Sequence, residues 1–401
     1  MQKSILFVIN NFNIGGPQKS LLSLLYKIDC KKYNIKLMVL SGEGSLIKYL
    51  PQYVKVIPVD SKVNYATLSP KGFIKKSIAM ILKSYKLPIR AVVPVLKGLM
   101  KKDMVRRKQE YWIKIKNELP VHDEEFDIAI GVSGGTSMMY VSDCVRANRK
   151  ISWIRSDYRV LKRNNEIDRK YFKKMDNIIS VSHICRDIFL DIFPETQSKV
   201  QVMYNVLPFK MYRSVQVDTS VIKKENGLYN LLTICRLDPN KGLDLALGAL
   251  ELLLKNDINI KWYILGGGSY ETEIQNLIKD KGLEEHFILL GFQFNTAKFI
   301  EETDILVHPS RFEGKSNVID EAKYLLKPIV ATNYETVGEQ ILDGSNGLVS
   351  EMDSGSIANS ILRIINNKNL VKRFRDNLKE ERFNDQESME IFYNIIESNK
   401  L

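Results

Sequence analysis

The stretch FEGKSNVIDEA, residues 312–322, sets two carboxylates, Glu313 and Glu321, eight positions apart with small and amide-bearing residues between them. Ionised carboxylates accept hydrogen bonds from hydroxyl groups, and a helix that begins between them turns its first backbone amides toward an anion. Eight helical residues rise roughly 12 Å. The pair can therefore hold the two ends of one elongated, hydroxyl-rich ligand, while the amides of Lys315, Ser316 and Asn317, with Gly314 before them, hold negative charge at its middle. The GKS within the stretch is no Walker loop, because Pro309 stands where that loop requires its first glycine.

Further cationic and glycine-rich loops suit the same ligand. Arg236 and Lys241 stand five apart in RLDPNK, a fork and a point charge that can clamp two phosphates; the alternative is two exposed loop cations. Gly15 and Gly16 separate the strand pattern SILFVIN from the helix pattern PQKSLLSLLYKI. Backbone without side chains can approach a pyrophosphate closely at a helix start, although such a pair also serves as a plain turn. YILGGGSYETEI has Glu271 where a dinucleotide fingerprint has its third glycine, which argues against a nicotinamide enzyme. A nucleotide diphosphate sugar has sugar hydroxyls for Glu313, ribose hydroxyls for Glu321 and a diphosphate between them.

The elements that must position these residues alternate along the chain. SILFVIN, IKLMVLS, VKVIPVD, FDIAIGV, KISWIR and NIISVS form a first series of strand patterns; YNLLTICRL, IKWYILGG, FILLGF, DILVHPS and KPIVATN form a second, with helical patterns between them. Alternation of this kind predicts parallel sheets covered by helices. Two open α/β units with a boundary near residues 206–228 are expected, their ligands lying at the carboxyl ends of the strands and in the cleft between the units.

The E-x7-E element from Glu313 to Glu321, with Gly15-Gly16, RLDPNK, ILGGG, HPSRFEG and DEAKYLLKPIVATN, resembles the retaining glycosyltransferases of family four. The resemblance implies an α/β GT-B fold, two Rossmann-like domains with parallel sheets facing a deep interdomain cleft. It places residues 1–206, joined by a returning C-terminal helix at about 386–401, in an acceptor-binding domain, and residues 207–385 in a nucleotide-sugar-binding domain. It implies transfer of a sugar, usually from a UDP-linked donor, with retention and no essential metal or other cofactor. Glu313, Arg236, Lys241 and Arg155 are then the catalytic candidates, and Gly15, Gly16, Arg236, Lys241, Gly314, Lys315, Ser316, Asn317 and Glu321 the donor-binding ones. Two positions depart from the pattern. Arg155, in KISWIRSDY, stands where relatives carry histidine; it can donate to a phosphate or sugar hydroxyl, or pair with Asp157 or another acid. Lys315 replaces an apolar residue or glycine, and its ammonium either reaches the donor or points to solvent. His308 reads as packed and hydrogen-bonded rather than catalytic.

Composition bounds the remaining roles. The chain has 401 residues and 44% hydrophobic content, enough for two cored domains. Its four cysteines lie far apart and its four histidines are unpaired at ligand spacing, so neither a disulfide framework nor a metal site is expected. The first residues carry too short an apolar run for a signal or a span. Between Lys71 and Lys116 fourteen Lys and Arg face two acids, a surplus of twelve that equals the formal net charge of the whole chain. Apolar residues at helical spacing run between these lysines, which suits binding to an anionic membrane surface; solvated lysine faces on two ordinary helices are the alternative. Aromatics do not alternate with the basic residues, so nucleic acid is not expected. The expected protein is a cytoplasmic hexosyltransferase, peripheral on the inner face of the cell membrane. Its expected acceptor is a lipid-linked saccharide in bacterial surface polysaccharide synthesis (capsule, O-antigen or exopolysaccharide). Alternatives are a soluble or protein acceptor, or a non-catalytic basic membrane-binding protein.

Overall fold

The computed structural model describes residues 2–42, 44–60, 63, 104–212, 215–381 and 385–398. The chain divides into two compact units, Met1–Val206 with Gln386–Leu401, and Leu207–Asp385.

The first unit runs β1 (Lys3–Ile9), α1 (Gly16–Leu25), β2 (Tyr33–Val39), β3 (Lys55–Ile57), α2 (Met104–Ile115), β4 (Glu125–Gly131), α3 (Thr136–Cys144), β5 (Arg146–Ile154), α4 (Asn165–Phe172), β6 (Asn177–Ser180), α5 (His183–Ile192) and β7 (Val200–Val202). Its seven strands are ordered β3-β2-β1-β4-β5-β6-β7, every pair parallel. Ile5 to Val8 of β1 are fully buried, the continuous apolar run that a strand covered on both faces requires. Helix starts follow local chemistry: the Asn164 side chain accepts from the amides of Glu166 and Ile167 to cap α4, and Ser182 accepts from Cys185 to cap α5.

The second unit runs α6 (Phe209–Tyr212), β8 (Tyr229–Ile234), α7 (Leu243–Lys255), β9 (Ile260–Leu265), α8 (Glu271–Asp280), β10 (Phe287–Leu289), α9 (Thr296–Glu302), β11 (Ile305–His308), α10 (Asn317–Tyr324), β12 (Ile329–Thr332), β13 (Leu348–Ser350), α11 (Ser354–Ile365) and α12 (Lys368–Glu380). Its six strands are ordered β10-β9-β8-β11-β12-β13, again all parallel. Leu231, Trp262, Val307 and Val330 form its core with Leu247 and Leu250 of α7 and Ile357 and Ile361 of α11.

The last helix, α13 (Asp385–Glu397), packs on the first unit. Phe392 stacks on Phe7 at 6.4 Å between centroids and Tyr393 on Tyr33 at 5.8 Å, while the Tyr393 hydroxyl accepts from the Asp29 amide at 3.0 Å.

Each sheet has a switch point where the strand order reverses, between β1 and β4 in the first unit and between β8 and β11 in the second. Ligands of open α/β sheets bind outside the carboxyl ends of the strands at such points.

Of the basic stretch 71–116, residues 71–103 lie outside the described residues. The apolar residues expected to face lipid, Phe73 to Met100, lie among these; the remainder of the stretch is largely α2, whose Tyr111, Trp112 and Ile115 are buried in the core of the first unit. Val105 and Ile113 of the same helix are exposed.

Candidate active site

The loops after β8 and β11 meet at the switch point of the second unit. After β8, the Asp238 side chain accepts from the Asn240 amide at 3.0 Å and caps the short turn Pro239–Lys241. Gly242 follows with φ +66, and a Cβ there would run into the Pro309 carbonyl. Only glycine lets the two loops abut. Gly268, after β9, does the same against the Leu237 carbonyl, so the ILGGG run supports the Arg236 loop.

This approach brings Lys241 and Glu313 together. Lys241 Nζ donates to Glu313 Oε1 at 2.6 Å. The same oxygen accepts from Ser310 Oγ at 2.9 Å and lies 2.9 Å from His308 Nε2. Thr336 Oγ1 donates to the Glu313 carbonyl at 3.0 Å and fixes the loop from behind. Burial pushes the Glu313 carboxyl up, but the Lys241 ammonium and the His308 and Lys241 hydrogen bonds outweigh it and hold the group at about 2. Glu313 is therefore an ionised acceptor of hydrogen bonds at neutral pH and cannot deliver a proton. Its Oε2 makes no hydrogen bond among the described residues, which leaves it for a ligand hydroxyl. His308, 3% exposed, orients Glu313. Arg236 is exposed and bonds Asp238 at 3.0 Å.

The Ser316 hydroxyl caps α10 by accepting from the Ile319 amide. The Ser316 amide departs from the expected anion contact: it donates to Gln340 Oε1 at 2.8 Å in a buried position. Lys315 departs from both expected positions of its side chain. Its ammonium is 5% exposed and turns inward onto Asp320 at 2.7 and 3.0 Å, and Gln340 Nε2 donates to the same carboxylate at 2.7 Å. Glu321 is buried on α10. Thr296 Oγ1 donates to its Oε2 at 2.6 Å and the Tyr212 hydroxyl to its Oε1 at 3.2 Å.

In the first unit, Gly15 and Gly16 start α1, with Pro17 in the first turn and no side-chain cap. A Cβ at Gly16 would meet nothing within 4 Å, so its freedom is not required by the protein's own packing. Arg155 follows β5. The expected alternative of a pair with Asp157 does not form: Asp157 gives both oxygens to Arg159. The Arg155 guanidinium instead lies 3.6 Å above the Trp153 ring.

Sequence reasoning missed Ser310, Thr336, Gln340, Asp320, Tyr212 and Thr296. Asp320, beside Glu321 and five residues after Lys315, carried a usable signal, since a lysine entering a helix start next to an acid can pair with it. Gln340, Thr296 and Tyr212 lie far from Glu313 to Glu321 in sequence and carried none.

Residues 217–381 match the family model described as glycosyl transferases group 1. Among known proteins, the poly(ribitol-phosphate) alpha-N-acetylglucosaminyltransferase of Staphylococcus aureus (strain COL) is 30% identical over 41% of this chain and 34% of its own length. The N-acetylgalactosamine-N,N'-diacetylbacillosaminyl-diphospho-undecaprenol 4-alpha-N-acetylgalactosaminyltransferase of Campylobacter jejuni is 25% identical over 61% of this chain and 65% of its own. The chain thus spans about a third to two thirds of these relatives. A crystal structure of HepE of Anabaena with UDP and glucose superposes with a TM-score of 0.71 at 16% identity, covering 98% of this chain and 99% of that one. The fold is GT-B. The GT-B assignment rests on the two parallel Rossmann-like sheets and this whole-chain match, and the chain is similar to proteins named glycosyltransferases.

Proposed function

We propose that the protein is a retaining, metal-independent glycosyltransferase of family four that moves a sugar from a UDP-sugar to an acceptor carried by the first unit. The carrying observation is the ionised Glu313, anchored by Lys241, His308 and Ser310 at the switch point of the second sheet. Glu313 accepts hydrogen bonds from donor sugar hydroxyls through its open oxygen. Glu321 receives the ribose hydroxyls in place of a Tyr212 or Thr296 hydroxyl. Arg236 and Lys241 neutralise the leaving diphosphate as the bond from the anomeric carbon to phosphate oxygen breaks. The acceptor hydroxyl forms the new bond from the same face and passes its proton to a phosphate oxygen, so no protein base is needed. The relatives' printed names support acceptors that carry phosphate: one acts on poly(ribitol-phosphate), another on a diphospho-undecaprenol saccharide.

We assign the acceptor to a lipid-linked saccharide of surface polysaccharide synthesis, reached by peripheral attachment through the basic residues 71–116. Among the described residues no helix is long and apolar enough to cross a membrane. A panel of UDP-sugars incubated with EDTA and a diphospholipid-linked saccharide tests the reading. Product of retained anomeric configuration is expected; inverted product, or product only with added metal, contradicts it.

A further inference from the structure

The loop after β4, Val132-Ser133-Gly134-Gly135, lies at the switch point of the first sheet, and Arg155 leaves the neighbouring strand β5 beside it. The guanidinium is fixed on three sides. Its plane rests on Trp153 at 3.6 Å, Nε donates to the Val132 carbonyl at 3.2 Å, and Nη1 donates to Asn205 Oδ1 at 2.9 Å. Nη2 is buried and has no hydrogen-bond partner among the described residues. Among the described residues no carboxylate pairs with it, since Asp157 is taken by Arg159, and the second nearby cation, Arg163, is itself neutralised by Asp168 at 2.6 Å. Burial pulls Arg155 down to about 9, so it stays cationic at neutral pH.

A half-buried cation with a buried open donor and no counter-ion is costly unless a ligand completes it. The adjacent backbone offers the same preference. Gly135, at φ +97, precedes α3, and no side chain caps that helix, which leaves its first-turn amides and the positive end of its dipole to an anion.

We propose that Arg155, together with the first-turn amides of α3, binds a phosphate group of the acceptor, so that the acceptor class is anionic. The proposal rests on the glycosyltransferase reading and deepens it. Neutral saccharide hydroxyls would leave the Arg155 charge uncompensated, whereas a phosphate carries the opposite charge and has oxygens both for the open Nη2 and for a helix start. Donor phosphates have cations of their own in the second unit, Arg236 and Lys241. With the acceptor proposed above the phosphate is the diphosphate of a lipid-linked saccharide; a polyol phosphodiester chain is the other source of the same chemistry, and the test separates the two.

Calorimetric titration of the full chain decides. The probes are a glycerol phosphate oligomer, a short-chain lipid diphosphate saccharide, glycerol as the phosphate-free control, and UDP. Wild type is expected to bind one of the two phosphate probes and not glycerol, and which one it binds names the source. Arg155→Gln weakens that probe roughly ten- to a hundredfold, Arg155→Lys falls between, and UDP affinity stays within about twofold. Asn205→Asp, which keeps the arginine but supplies an internal counter-charge, weakens the phosphate probe as well and guards against misfolding of the glutamine variant. Binding of neither phosphate probe by wild type, unchanged binding in both variants, or a parallel loss of UDP affinity overturns the proposal. Failure of wild type to bind UDP counts against the glycosyltransferase reading and is scored separately.

Discussion

Lys241 and Glu313, 72 residues apart in sequence, join at 2.6 Å and tie the loops that follow two neighbouring strands, β8 and β11. Both side chains are mostly shielded from solvent, and the carboxylate keeps one oxygen open. Lys241→Met leaves that carboxylate with only His308 and Ser310. Loss of a largely buried partner costs about 3 kcal/mol, less here because each side chain keeps some solvent. Denaturant unfolding is expected to show a destabilisation of about 1–3 kcal/mol, and the initial rate of UDP release from a UDP-sugar a loss of about a hundredfold or more.

The Glu313 carboxyl carries a pH signature. Its folded value, about 2, lies below its ordinary 4.5, so the unfolded chain binds the proton more readily. The stability it contributes is fully present above about pH 4.5 and is lost as pH falls toward 2. Wild type should lose stability relative to Glu313→Gln across that interval and run parallel to it above pH 6 (about two units clear of the transition). A difference that grows between pH 6 and 8 would mean that another group governs the site.

The Lys315–Asp320 pair serves the fold of the α10 start. Lys315→Met strands a carboxylate that is 2% exposed, and a loss of about 3 kcal/mol or more in unfolding free energy is expected, with UDP affinity changed less than about threefold. A large drop in UDP affinity with intact stability would instead put the ammonium on the donor.

Tyr212 competes for the Glu321 oxygen expected to receive ribose. Tyr212→Phe removes one hydroxyl and should leave UDP binding equal or a few-fold tighter, as one modest hydrogen bond allows. Thr296→Val, which also frees Glu321, should act in the same direction in the same titration.

The basic residues 71–116 are expected to attach the protein to anionic vesicles. Replacing the lysines from Lys71 to Lys102 with glutamate should abolish flotation with phosphatidylglycerol vesicles, and raised salt should weaken the wild-type interaction. Equal flotation of the two proteins removes the membrane role.

The two alternating series of apolar strands were legible because parallel strands buried on both faces read as continuous apolar runs. The short edge strands β7 and β13, three residues each, gave no such run and escaped. Glu313, Lys241 and Arg236 could be singled out because glycine, proline and charged residues cluster after strands. Their partners could not be. Ser310 and His308 bond Glu313 through loop geometry, and Gln340 reaches the Ser316 amide from 24 residues away. A contact across such a distance in sequence depends on how the β12 and β13 connections fold back, which no local pattern encodes. Lys315 shows the same limit. Its type suggested a ligand contact or solvent, and burial beside Asp320 decided otherwise.

The second unit is expected to hold a UDP-sugar through Glu321, Arg236 and the Lys241–Glu313 pair. Isothermal titration of UDP into the purified chain in EDTA, repeated with Arg236→Ala and Glu321→Ala, tests it most directly. Binding by wild type is expected to be indifferent to the chelator and weakened about tenfold or more in each variant. Absence of UDP binding by wild type, or variants that bind as tightly as wild type, would contradict it.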